Sequence, residues 1–260
     1  MRLYDTHCHF EAADPSAIAA TLDRARTAGV EKLMAVGGSA ALNGSALVAA
    51  QCAAEAIVSP QVRVALGYDR DQTAACRADP DAACRQLATL LADNPTVAAV
   101  GEIGLDYHYS PETRADQLAL FGAELELARQ RDLPVVIHTR EADNDTLSLL
   151  REIPSRGIIH CYTGTCEFAR QFLDLGFFIS ISGIVTFRPA ENVRDVTRFI
   201  PDDRFLIETD SPFLAPVPLR GKPNEPANVA LTCAFIAKLR GLDAEDFAAL
   251  TFANAERVIG

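Results

Sequence analysis

Two histidines, His7 and His9, close the first apolar run of the chain, and four further metal-type side chains follow at intervals. Glu102, His138, His160 and Asp210 each sit at or just past the end of a later apolar run. The chain has 5 histidines, and His7, His9, His138 and His160 all belong to this set. Side chains alternate along a strand, so His at i and i+2 point to one face. Imidazole and carboxylate groups suit Mg, Mn, Zn or similar divalent ions, and a catalytic site leaves positions open for water. His7 and His9 can bind one ion from a single strand, with Asp210 completing that site. His138 and His160 can hold a second. Glu102 stands between the two groups as the bridging candidate. A carbamylated lysine is the usual alternative bridge, but Lys32, Lys222 and Lys238 lie at no strand's C-terminal end. Two ions would polarise a phosphoryl oxygen and activate a water, with Asp210 taking the proton as general base.

Such a set works only if successive strands deliver it to one place. Apolar runs at 2–5, 32–36, 62–67, 97–101, 134–138, 157–160, 177–180 and 205–208 alternate with amphipathic stretches. A helix is predicted over 111–131, with Ser110 as cap and Pro111 in the first helical position. Leu118, Phe121, Leu125 and Ala128 form its apolar stripe. Further helices are expected over 16–28, 41–57, 82–92, 141–152, 167–175, 190–199, 228–239 and 244–258. Near-continuous apolar strands alternating with helices indicate a parallel sheet covered by helices. Eight such units predict a (β/α)8 TIM-type barrel, a single domain over 1–260. The competing open sheet would show Gly-x-Gly-x-x-Gly after its first strand, and that fingerprint is missing. Strand C-terminal ends are also where barrels build active sites. The Pro-rich stretch 212–226 then reads as a long loop after the eighth strand, of the kind that is more often functional than accidental.

Composition narrows the function class. At 260 residues and 49% hydrophobic, the chain can bury a large core. No apolar run reaches 18 residues, and no secretory signal opens the sequence, so a cytoplasmic protein is expected. The 7 cysteines show no Cys-x-x-Cys spacing and read as reduced thiols. Alternation should turn Cys8 and Cys161 away from the ligand face, toward the helices. A net charge of -11 argues against broad nonspecific nucleic-acid binding. It leaves room for a nucleic-acid substrate whose phosphate meets divalent ions. Arg140, two residues past His138, should share its side and can grip a phosphate bidentately. Arg220 and Lys222 are further cations near the mouth. Tyr68, Tyr107, Tyr109 and Tyr162 are candidates for stacking bases. His108 lies outside the ligand pattern.

Six segments now stand in order: Asp5-Thr6-His7-Cys8-His9, Gly101-Glu102-Ile103-Gly104-Leu105-Asp106-Tyr107, His138-Thr139-Arg140, His160-Cys161-Tyr162-Thr163-Gly164, Glu208-Thr209-Asp210-Ser211-Pro212 and Arg220-Gly221-Lys222-Pro223-Asn224-Glu225-Pro226. Together they resemble the TatD family of metal-dependent deoxyribonucleases, part of the amidohydrolase-like barrels, over residues 3 to about 258. The resemblance implies one or two divalent ions at His7, His9, Glu102, His138, His160 and Asp210. It further implies hydrolysis of DNA phosphodiesters, often from a 3′ end, and a cytoplasmic role in DNA repair or turnover. After the third strand this family commonly carries Gly-x-His-Pro-His. Here the segment reads Gly67-Tyr68-Asp69-Arg70-Asp71, where Arg70 can compensate as a cation while Asp69 and Asp71 would repel phosphate. A 3′→5′ exonuclease on single-stranded DNA is the leading expectation. A hydrolase of a small-molecule ester, amide or phosphoester is the alternative, and a non-catalytic scaffold with a structural metal is a third reading.

Overall fold

The computed structural model describes residues 1–77, 79–94 and 96–260. Eight parallel strands pair in sequence order: β1 Leu3–Cys8, β2 Val30–Gly38, β3 Gln61–Tyr68, β4 Val97–Asp106, β5 Val135–Arg140, β6 Gly157–Ile159, β7 Phe178–Ile181 and β8 Phe205–Ile207. All eight coincide with the apolar runs, because strands buried on both faces have no polar side to alternate with. Helices cover the outside: α1 Pro15–Thr27, α2 Ala40–Glu55, the single turn α3 Thr73–Cys76, α4 Pro80–Asp93, α5 Arg114–Gln130, α6 Asp143–Glu152, α7 Cys166–Asp174, α8 Glu191–Phe199, α9 Val229–Arg240 and α10 Ala244–Val258. This is the TIM-type barrel that the strand count predicts.

Two details differ from expectation. The helix expected from Pro111 starts instead as a 3₁₀ turn, Pro111–Thr113, and becomes α5 at Arg114. The Ser110 hydroxyl makes no cap bond, although Ser110 O accepts from Thr113 N at 3.2 Å. β4 runs past Gly101 to Asp106, so Glu102 lies within that strand and not at its end.

The core has two parts. Tyr4, Met34, Val36, Ala65, Val136, Ile158 and Leu206 fill the barrel, and Phe252 and Val258 of α10 pack on that cluster. The larger cluster lies between sheet and helices. Closure between β1 and β8 is confined to the C-terminal end. Cys8 bridges Ser211, His9 N donates to Ser211 O at 2.7 Å, and Asp210 N donates to His7 O at 2.9 Å. The seam that closes the barrel therefore also sets His7, His9 and Asp210 beside one another. Among the described residues no helix is long and apolar enough to cross a membrane.

Candidate metal centre

Two irregularities in the pairing register position the innermost groups. One falls between Asp5 and Cys8 on β1, the other between Val100 and Ile103 on β4. Register breaks of this kind re-aim side chains near active sites. Within the first, Thr6 Oγ1 reaches Ser180 Oγ of β7 at 3.2 Å while His7 faces Glu102. At the second, Glu102 is buried with its two oxygens divided between two histidine pairs. Oε2 lies 3.5 Å from Nε2 of both His7 and His9. Oε1 lies 3.2 Å from His138 Nδ1 and from His160 Nε2. Asp210 Oδ1 stands 3.8 Å from His7 Nε2 and 3.6 Å from His9 Nε2. All six sequence-predicted ligands thus meet at one place, in three overlapping groups whose donor atoms lie within 4.8 Å of one another.

The outer nitrogens decide which lone pairs face inward. His9 Nδ1 lies 2.9 Å from Val36 O and must donate to it, so Nε2 carries the lone pair. His138 Nε2 meets Asp106 Oδ2 at 3.0 Å, which leaves Nδ1 as the inward acceptor. His160 Nδ1 lies 3.4 Å from Glu208 Oε1, an ion-pair separation short of an aligned hydrogen bond. Carboxylates and carbonyls behind histidines fix tautomer and ring orientation at metal sites. The inward acceptors crowd: His7 Nε2 and His9 Nε2 are 3.0 Å apart. Converging lone pairs need a proton or cation between them, and a set of neutral imidazoles with carboxylates fits a divalent ion.

The electrostatics agree. Burial and the neighbouring His160 hold His7 down to about 3, in its neutral, ligating form. Burial alone would also lower His9, yet Asp210 and Glu102 push it up to about 10, so without an ion Nε2 carries a proton that a cation would displace. Burial opposes ionisation of Glu102, but His160, His138 and His7 keep its carboxyl well below the usual range. Burial likewise disfavours the Asp106 carboxylate, and the hydrogen bonds from His138 and the Tyr109 N–H bring it down to about 2. The carboxylates hold positive charge against the cost of burying it, which is what a cation site must do.

These groups floor a cavity of about 650 Å³ whose walls include Arg70, Tyr109, Arg140, Cys161, Phe213 and Leu214. Arg140 reaches it as expected, its guanidinium 4.7 Å from the Tyr109 ring centre. Arg70 enters from the turn after β3, with Nη1 3.5 Å from Glu102 Oε1. Asp69 folds back to accept from Asp71 N at 2.8 Å. Arg220 and Lys222 line a neighbouring groove that shares Phe213 and Leu214 with the cavity. Tyr162 is a correction: it is buried, its hydroxyl donates to Thr165 O at 3.0 Å, and its ring packs on Phe172, so it cannot meet a substrate. Cys161 is a second correction, lining the cavity instead of facing the helices. β6 ends at Ile159, and Cys161 has φ 45°, so strand alternation no longer governs it. Cys8 does turn away, its thiol on Met34 O at 3.3 Å. His108 pairs with Glu141 at 2.7 Å and is exposed.

Sequence reasoning passed over Asp106, Glu208 and Phe213 as site residues. A period-2 signal was available for Asp106, which follows Glu102 at i+4 within β4, a spacing that returns to one face of a strand. Glu208 and Asp210 lie past the end of β8 at Ile207, where alternation no longer applies.

Fold and cluster place the chain among the metal-dependent barrel hydrolases. Residues 4–260 match the family model described as TatD related DNase, and the chain belongs to that family. It is 48% identical over 171 residues to an uncharacterized metal-dependent hydrolase, YcfH, of Escherichia coli K12, a match covering 65% of this chain. The chain spans only 64% of that relative's length in this match. A Mycobacterium tuberculosis protein named uncharacterized metal-dependent hydrolase TatD is 33% identical over 99% of this chain and 98% of its own. A Citrobacter koseri protein named 3′-5′ ssDNA/RNA exonuclease TatD is 38% identical over 65% of this chain and 68% of its own. The crystal structure of YJJV, a TatD homologue from Escherichia coli K12, superposes with a TM-score of 0.86 at 30% identity, covering 99% of this chain and 98% of that one.

Proposed function

We propose that the protein is a divalent-metal-dependent phosphodiesterase that removes nucleotides from the 3′ end of single-stranded DNA. The observation that carries this reading is Glu102, whose two oxygens face two separate imidazole pairs. A carboxylate so placed would serve two ions, with His7, His9 and Asp210 holding one and His138 and His160 the other. Bound there, Mg, Mn or Zn would bring the pKa of a water toward ~7 and offset charge developing on a phosphoryl oxygen.

The chain's own residues do the rest. Asp210 is held by its N–H on His7 O and is partly open to the cavity. Its carboxylate receives the proton of the attacking water. Arg140 presents a guanidinium with no ion pair among the described residues, and its planar fork matches a phosphate edge. Arg70 supplies a further cation beside Glu102. Phe213 and Leu214 line one wall of the cavity. The relative named 3′-5′ ssDNA/RNA exonuclease supports the polarity and the substrate class. Turnover of DNA in the cytoplasm is the corresponding cellular role.

The test is add-back of Mg, Mn or Zn, separately, to metal-stripped protein with 5′-labelled single-stranded DNA. An Asp210→Asn control runs beside it. Metal-dependent shortening from the 3′ end, lost in the control, is the expected result. No cleavage with any ion, despite two bound equivalents per chain, would overturn the reading. A small-molecule ester, amide or phosphoester hydrolase would then lead, and Arg70 beside Glu102 is the feature favouring it.

A further inference from the structure

The cavity over the metal centre adjoins a groove of about 670 Å³ lined largely by the Pro-rich loop after β8. Phe213 and Leu214 line both spaces, so they form the wall that separates and joins them. Phe213 is 54% exposed, and its ring centre lies 6.4 Å from that of His9. On the far side of that wall stand Arg220 and Lys222, with the Arg220 guanidinium 4.5 Å from the Phe187 ring centre. Neither cation makes an ion pair among the described residues, in a chain of net charge -11. Glu11 is the acidic group in the lining.

The loop is long but firmly held. Buried Asn224 donates to Thr209 O at 2.9 Å and to Phe213 O at 2.7 Å, and Asn224 N donates to Pro212 O at 2.9 Å. Val217 N donates to Thr186 Oγ1 at 2.9 Å. A loop that keeps a large aromatic in solvent while its backbone is pinned is preorganised for a contact outside the molecule.

We infer that this groove binds the second and following nucleotides of a single-stranded substrate, with Phe213 stacking the base next to the scissile bond and Arg220 and Lys222 holding the phosphates beyond it. The inference rests on the nuclease reading above. Continuity with the cavity makes the occupant the same strand that enters the metal centre. A mononucleotide would fill the cavity without reaching the groove. The lining carries two cations, Arg220 and Lys222, against one carboxylate, Glu11, a balance that favours phosphates. Stacking on an exposed ring requires an unstacked base, so the groove selects a single strand over a duplex.

The experiment compares thymidine oligonucleotides of two, three and six residues, using the ion that supports cleavage. For the unaltered protein, kcat/KM should rise roughly 10-fold or more from the dinucleotide to the hexanucleotide, through KM. Phe213→Ala should remove most of that gain, and Phe213→Trp should restore it. The pair Arg220→Ala with Lys222→Ala should lower the slope of log KM against log salt for the hexanucleotide by about 1.4. Thermal midpoints within a few degrees of the unaltered protein would show that the variants fold. Equal cleavage of two and six nucleotides by the unaltered protein, or variants that keep the full gain, would overturn the groove and leave the metal centre intact. No cleavage at any length would remove the nuclease reading and the groove with it.

Discussion

The metal cluster and the rim beside it are built on opposite terms. In the cluster, His9, His138 and His160 are each backed by a fixed partner: Val36 O, Asp106 and Glu208. At the rim, Arg140 and Arg220 rest on aromatic rings, and Lys222 extends from a surface loop. Cluster groups are locked by the strands, the barrel seam and their backing partners. At the rim, Arg140 ends β5 and Arg220 and Lys222 come from the loop after β8, with side chains that make no ion pair among the described residues. Changes in the cluster should therefore act on kcat and ion content nearly all-or-none. Changes at the rim should act on KM by degrees.

The largest effect is expected at Glu102. Glu102→Gln keeps the bulk but cannot offer an anionic oxygen to each histidine pair, so kcat should fall by on the order of 10³-fold. Ions retained per chain after dialysis, read by atomic emission, should drop in parallel. A variant that kept both its ions and its turnover would remove the bridging role.

Asp106 tests whether the backing partners matter as much as the ligands. Asp106→Asn can retain an oxygen for the N–H groups of His108 and Tyr109, now met by Asp106 Oδ1 at 2.9 Å each. Its amide nitrogen would then face His138 Nε2 as a second donor and force the wrong tautomer. Ion affinity should weaken roughly 10- to 100-fold, measured by competition with a chromogenic chelator. Unchanged affinity would mean the ring is held by packing alone.

Arg140→Ala should raise KM roughly 10-fold with kcat little changed, since one charge-assisted contact to phosphate is lost. A matching fall in kcat would place Arg140 with the cluster and blur the contrast with the rim.

The smallest effect concerns Glu124 of α5, a buried carboxyl whose Oε1 accepts from Tyr68 N at 2.7 Å. Burial pushes its pKa well above the ordinary value. A raised carboxyl favours the folded state fully below the unfolded pKa, near ~4.3, and loses that contribution as pH rises toward the folded value. Glu124→Gln should therefore raise the thermal midpoint at pH 8, by about 2–4 °C for each kcal/mol gained, with the difference shrinking toward pH 4. An equal or larger gain at pH 4 would contradict a burial penalty on the charge.

Much of this molecule was legible as a linear pattern. The eight apolar runs name all eight strands, because burial on both faces of a parallel sheet leaves a local signature. The six cluster residues could be named because imidazole and carboxylate at strand ends have few other reasons to recur. The sequence also disclosed the long loop that follows Asp210. Period-2 reasoning held for Cys8, inside the paired strand, and failed at Cys161, two residues past the last residue of β6.

Tertiary structure alone decided the rest. The division of Glu102 between two histidine pairs depends on a register break and on closure at the Cys8–Ser211 bridge. Asp106 and Glu208 become backing groups only when neighbouring strands set them behind His138 and His160. Tyr162 turned inward and Phe213 outward, and no periodicity governs residues beyond the last paired position of a strand. What a sequence determines by itself is what hydrogen-bonded repetition makes local. Distances between strand ends arise only when the sheet closes, because the relative register of all eight strands then sets them at once.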